Sequence, residues 1–248
     1  MPEIRLENIQ PAAAKRIKPF FDEILSTSMD KIHSIHVTGT ALSDDFDDRD
    51  SNINSVIVLK EMDLKFLELL APLGKKYSKT RVAAPLIMTP HYMQTSLDVF
   101  PVEFLNFKLL HSTVFGEDIF RDIIIDRMHL RHQCERELKV KLIGLRQGYL
   151  SSLGERKILT EGFVNSITQY IPLFRSIIVL FDKEPPVRQG EVIKSLAQAV
   201  PVNTDVFAEV LKEKHEKVKL SIEKLNTIFE DFYSATEMLG KVIDEIQE

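Results

Sequence analysis

Cysteine is almost absent: Cys134 is the single one in 248 residues. That excludes an internal disulfide and leaves a zinc site without paired thiolates. Cys134 falls on the apolar stripe of an expected helix, where a thiol packs as a small hydrophobe rather than serving as a nucleophile. Long hydrophobic runs are lacking as well. No window holds the eighteen or more consecutive apolar residues of a membrane span, and the opening MPEIRLENIQ has no basic-then-apolar order of a signal peptide. The expectation is a cytoplasmic protein with no membrane partner. Excess positive charge is missing too: 32 Lys and Arg against 37 Asp and Glu give a net charge of -5, which opposes general binding to a nucleic-acid backbone. The motifs Gly-x-x-x-x-Gly-Lys, Gly-x-Ser-x-Gly and His-Glu-x-x-His are absent, and His33, His36, His91, His111 and His129 show no metal-ligand spacing.

What is present divides into two halves. Up to Glu117, short β-rich runs alternate with helical stretches broken by Pro and Gly; beyond it, helical periodicity dominates. The pattern predicts an α/β domain with a mixed sheet over residues 1–117 and an all-α helical bundle over 118–248. In the first half, Ile17, Phe20, Phe21, Ile24 and Leu25 have helical spacing within 11–28, and 32–37 follows as a strand. Gly39 turns the chain. The run 53–59 is almost wholly apolar, as a central strand buried on both faces should be. Asp63 is placed to cap a helix to about Lys75 with Leu64, Leu67 and Leu70 inward. A strand is expected at 83–88, and a short helix at 90–98 with Thr89 as cap and Pro90 at its first position. Residues 99–107 read as a strand in which Pro101 marks an edge or bulge.

In the second half, a turn at Phe115-Gly116-Glu117-Asp118 precedes a helix at 127–150. Its apolar stripe runs through Leu130, Cys134, Leu138, Leu142, Leu145 and Tyr149, opposite a charge ladder of Arg131, Glu135 and Lys139. Residues 162–181 predict a buried helix bent at Pro172. Asn203 or Thr204 is placed to cap a last helix over 205–247, whose Leu211, Val218, Leu225, Phe229, Phe232 and Leu239 form a heptad-like seam. That seam suits a bundle helix or a homodimer. His215 falls on the seam as a partly buried packing residue.

The stretch Val37-Thr-Gly-Thr-Ala-Leu-Ser-Asp-Asp-Phe-Asp-Asp-Arg-Asp-Ser-Asn-Ile-Asn-Ser-Val-Ile-Val-Leu59 resembles the signature of the nucleotidyltransferase superfamily. This superfamily includes the polymerase beta fold and the kanamycin and other aminoglycoside nucleotidyltransferases. Its pattern is strand, Gly-Ser, loop, Asp-x-Asp, apolar strand, then a third acid on a later strand. Gly39-Thr40 stands at Gly-Ser, Asn52 and Asn54 at the two aspartates, and Glu103 is the expected third acid, ahead of Asp98. Phe115-Gly116-Glu117-Asp118 is similar to the turn that leads into the helical domain of the kanamycin-type enzymes.

The resemblance implies a nucleoside triphosphate held at Gly39 and Thr40, with magnesium gripped by acids, which transfers a nucleoside monophosphate to a hydroxyl of a small molecule or protein. Asparagine keeps the shape of aspartate but not its charge, so two of the three magnesium-binding groups are degenerate. The leading expectation is a diverged member with weak or lost transfer that binds a nucleotide or a partner. The alternatives are an active transferase using Glu103 and a loop aspartate, and an oligomeric interaction protein built on the last helix. Asp48-x-Asp50 has the spacing of a metal pair but lies before the strand, in what reads as a solvated acidic loop. Arg127 to His132 is similar to a short ribonuclease motif. Arg127, Arg131, Lys139 and Lys141 are candidates to reach a phosphate or, more blandly, to form a salt-bridged helix face.

Overall fold

A computed structural model of the chain describes residues 4–216 and 220–246. Two compact units emerge, one of Met1–Leu97 with Phe104–Ile124 and one of Asp98–Glu103 with Ile125–Glu248. The division expected after Glu117 thus moves to Ile124, because Phe120, fully buried, packs against the rings of His36, Phe107 and His111 of the first unit.

In the first unit, α1 (Pro11–Ser28) leads into β1 (Ile32–Thr38), a 3-10 turn at Gly39–Leu42, an ordered loop and β2 (Asn54–Leu59). Next come α2 (Leu64–Tyr77), β3 (Leu86–Met88) and α3 (Pro90–Gln94); after α4 (Pro101–Leu109), β4 (His111–Gly116) completes the sheet. Strand order is β3-β2-β1-β4; β1 is antiparallel to both neighbours and β2 is parallel to β3. One sheet face, carrying Ile35, Val37, Ile57, Leu59 and Val114, packs on Ile17, Phe20, Phe21 and Ile24 of α1 and Phe66 of α2. All of these are apolar and removed from water, so this face is what drives the unit together. The other face is polar at one end and holds the candidate site.

Local chemistry explains several boundaries. Asp63 caps α2 by accepting from the Lys65 amide at 2.9 Å, and Thr89 caps α3 by accepting from Tyr92 at 3.1 Å with Pro90 in the first turn. On α2 the inward residues are Phe66 and Leu70, whereas Leu64 and Leu67 face water.

The strand expected at 99–107 is a helix. Pro101 opens α4, where a missing N–H costs nothing, Glu103 places an acid in the first turn, and buried Val102 and Leu105 have helical spacing. The later strand is β4, at a segment where the sequence suggested only a turn.

The second unit is helical. It contains α5 (Arg127–Ser151), α6 (Arg156–Leu159), α7 (Ile171–Leu180), α8 (Gln189–Ala199), α9 (Asp205–Glu216) and α10 (Ile222–Asp244). Between α6 and α7 the helical path passes through a π turn at Thr160–Val164 and a 3-10 turn at Asn165–Gln169, and the path bends by 43° before α7, which carries Pro172 in its first turn. Asn203 accepts from the Asp205 amide at 2.9 Å at the start of α9. The single last helix expected over 205–247 is two helices, because Ser221 caps a new start by accepting from Lys224. Their seam residues Leu211, Leu225, Phe232 and Leu239 are buried within this unit, and His215 is exposed in the last turn of α9. Val218 lies outside the described residues. No single helix among the described residues is long and apolar enough to cross a membrane.

Candidate functional site

The polar end of the sheet follows from strand register. Thr38 at the end of β1 pairs with Asn54 at the mouth of β2 on one side and with His111 at the start of β4 on the other. Paired residues project to the same face, so Asn54, Thr38 and His111 form a row across three strands. One row deeper, Val56, His36 and Thr113 are paired in the same way.

Gly39 follows Thr38 directly, with φ +77, a left-handed backbone that glycine adopts without a steric penalty. A Cβ there would meet only Asn54 Nδ2, at 3.7 Å. Gly39 and Asn54 are therefore neighbours, as the sequence pattern required. The Gly39 amide is already used, donating to the Leu110 carbonyl at 3.3 Å, which leaves Thr40 and the exposed asparagine amides as the polar groups of the turn.

Asn52 and Asn54 are both exposed. No carboxylate joins them from a later strand: β3 is Leu-Ile-Met and β4 is His-Ser-Thr-Val-Phe-Gly. Glu103, on α4, instead accepts from Gln133 Nε2 at 2.8 Å in the second unit, and Asp98 is exposed in the turn before α4. Glu103 is thus on a helix and not on the later strand that the third acid requires.

Loop acids do not take over. Asp48 pairs with Arg16 at 3.4 Å and Asp50 with Arg81 at 3.5 Å, so the two carboxylates of Asp48-x-Asp50 are drawn to different partners. Asp47 Oδ1 accepts from the amides of Arg49 and Asp50 and shapes the loop. These residues do not fit a magnesium ion, which prefers carboxylate oxygens in near-octahedral array.

Two residues that sequence reasoning passed over complete the region. His111 Nδ1 donates to the Phe107 carbonyl at 2.7 Å, and its Nε2 faces Asp118 Oδ1 at 2.8 Å. Burial pushes the Asp118 carboxyl up, but the His111 hydrogen bond and charge, with the Arg121 amide, outweigh it and hold the group below the usual carboxylate value. His36 is fully buried between the hydroxyls of Ser34 (2.8 Å) and Thr113 (3.0 Å). Burial, reinforced by repulsion from His111, lowers its pKa to about 3, so it is neutral at physiological pH. The signal for His111 was the alternation of Ser112 and Val114 against His111, Thr113 and Phe115, a short strand pattern.

The helical unit's cations are engaged. Arg127 pairs with Asp182 at 2.9 Å, and Arg131 and Lys139 both pair with Glu135, as a salt-bridged helix face would. His132 of the ribonuclease-like motif is exposed. Lys141 differs: its ammonium sits 4.4 Å from the Tyr170 ring centroid, and burial lowers its pKa. Cys134 is buried, and burial pushes its thiol well above the usual range, as suits a small core residue.

A four-stranded mixed sheet with a glycine turn after its first strand, backed by helices and followed by a helical region, defines a nucleotidyltransferase-like fold. Among solved structures the chain is similar to the crystal structure of spectinomycin adenyltransferase AAD(9) from Enterococcus faecialis with ATP and spectinomycin. The TM-score is 0.54 and the identity 11%, over 94% of this chain and 98% of that one. At that identity the likeness is one of fold. No family model and no curated protein matches the sequence.

Proposed function

We propose that this chain is a diverged nucleotidyltransferase-like protein that binds a nucleotide at the Gly39-Thr40 turn, with magnesium-dependent transfer of a nucleoside monophosphate weak or lost. The supporting observation is the composition of the site: Asn52 and Asn54, both exposed, stand where the resemblance calls for two carboxylates, and neither β3 nor β4 supplies a third. The solved neighbour is described with ATP, which supports a nucleotide as the ligand class. Without acids, a triphosphate here is held by hydroxyl and amide groups rather than by a bridging cation. Coulomb attraction lost with each missing carboxylate is on the order of several kcal/mol at ligand distances even with strong screening, which amounts to powers of ten in rate.

Calorimetry with nucleoside triphosphates, with and without magnesium, tests the reading. Binding that changes less than about twofold on adding magnesium, with no label transferred from α-labelled triphosphate to hydroxyl acceptors, is the expected result. Tight magnesium-dependent binding with turnover would sink it. If transfer were also abolished by Glu103→Gln, the active-transferase alternative would replace it.

A further inference from the structure

We infer that His36, His111 and Asp118 form a site for a divalent transition metal of the zinc class, built on β1, β4 and the turn that follows β4. One ligand atom from each of the three residues lies within 4.8 Å of the others. Tetrahedral zinc, with bonds of about 2.0–2.1 Å, sets neighbouring ligand atoms roughly 3.3 Å apart, so side-chain rotations closing the group by about 1.5 Å or less would complete it. The pair His111 Nε2 and Asp118 Oδ1, at 2.8 Å, needs no closing.

Hydrogen bonding around His111 leaves a position that either a proton or a metal ion can fill. The Phe107 oxygen is a carbonyl and only accepts, so His111 Nδ1 carries a proton, and in the neutral ring Nε2 then presents a lone pair. That lone pair faces a carboxylate oxygen, which in its ionised form also only accepts. Two acceptors at hydrogen-bond distance require either a further proton or a metal ion between them. An imidazole whose far nitrogen donates to a backbone carbonyl is the arrangement that orients metal-bound histidines.

The second histidine is suited to the same role. His36 is fully buried, and its hydroxyl partners Ser34 and Thr113 can each rotate to donate or accept, so one can yield its nitrogen to an ion while the other fixes the ring. Phe120 packs tilted or edge-on against both imidazoles, at 4.7 and 5.4 Å between centroids, and supplies an apolar shell that limits solvent access to the site. Asp118 remains partly exposed, with 23% of its side chain accessible, which gives an ion its entry and leaves a fourth position for water. Asp118 is also tied to Arg121, by the amide at 3.3 Å and the guanidinium at 3.4 Å. Two imidazoles and one carboxylate select zinc and its neighbours over magnesium. The inference does not rest on the nucleotide reading.

The test uses the full chain, stripped with EDTA, dialysed and titrated with zinc chloride against a chromophoric chelator, with no nucleotide present. One equivalent should be withheld from the chelator, magnesium should not compete, and cobalt in place of zinc should give the visible bands of a four-coordinate site. His111→Gln and Asp118→Asn should each weaken zinc binding by more than about 100-fold, beyond the loss typical of outer-shell changes. His91→Gln and His132→Gln, at exposed histidines, should leave it unchanged. Asp118→Asn keeps an acceptor for the Arg121 amide, so its circular dichroism should stay native-like even if His111→Gln fails to fold. No chelator-resistant zinc, or zinc binding equal to the parent's in a folded Asp118→Asn protein, would overturn the inference.

Discussion

Gly39 and Gly116 both have left-handed backbones, with φ +77 and +75, yet they do different things. A Cβ on Gly116 would lie 2.1 Å from the His33 carbonyl oxygen and 2.9 Å from Ser34 Cα, both backbone atoms that cannot move aside. At Gly39 the only neighbour is the end of the Asn54 amide. Gly39→Ala should therefore cost about 1–2 kcal/mol, the left-handed penalty alone, while Gly116→Ala should cost more than about 3 kcal/mol in urea denaturation. That Asn54 opens β2 next to Gly39 was legible in the sequence, because a glycine turn after one strand and a polar residue at the mouth of the next apolar run belong to neighbouring strand ends. Placing carboxylates at Asn52 and Asn54 tests what this strand end is for. Asn52→Asp with Asn54→Asp should make nucleotide binding depend on magnesium, tightening it about tenfold or more in calorimetry, where the parent should change less than about twofold. No gain in the double variant would mean that these positions are not placed to hold a metal-bound phosphate.

Helices with one clear apolar stripe were readable to within a residue or two, as α1 and α5 show, whereas α3 begins where Thr89 caps it but ends at Gln94, short of the expected 98. Two other elements were not readable. The run at 101–109 is short and apolar on several sides, so periodicity did not separate strand from helix, and its hydrogen bond from the Val102 amide to Gln133 Oε1 is a distant contact that sequence does not reveal. The last seam kept its period across the break before α10, because both helices face one core; Phe232 alone meets Phe163, Tyr170 and Phe207 there. The same core determines the behaviour of Lys141, held over Tyr170 on α5. Its lowered pKa means that the unfolded chain binds more protons than the folded one between the folded value and the ordinary 10.5. Stability attributable to Lys141 should therefore rise with pH through that window. In chemical denaturation stepped up to pH 10.5, the parent should gain on Lys141→Met; parallel profiles would show that the ammonium is as well solvated folded as unfolded.

Over the whole molecule, the chain does not pass once from an α/β unit to a helical one, as composition suggested; it visits the second unit at Asp98–Glu103, returns, and leaves finally after Ile124. Composition averages over tens of residues and cannot register a six-residue excursion that a few contacts decide. Gln133 supplies the clearest of these: 5% exposed, it accepts from the Val102 amide and donates to Glu103 Oε2, both at 2.8 Å. Removing it leaves a buried amide without that acceptor, so Gln133→Ala should destabilise the full chain by about 1–3 kcal/mol. Glu103 is exposed and takes part as a single acceptor, and Glu103→Gln retains a carbonyl oxygen for Gln133, so its cost should stay below about 1 kcal/mol. Equilibrium urea unfolding of the parent and the two variants separates these values, and the same Glu103→Gln protein assayed for label transfer then has a clear meaning. With folding unchanged, transfer present in the parent and absent in the variant would make Glu103 a reacting group. Absence of transfer in both, with a penalty confined to Gln133→Ala, would make the pair a clasp on the chain's excursion, which is the expected result.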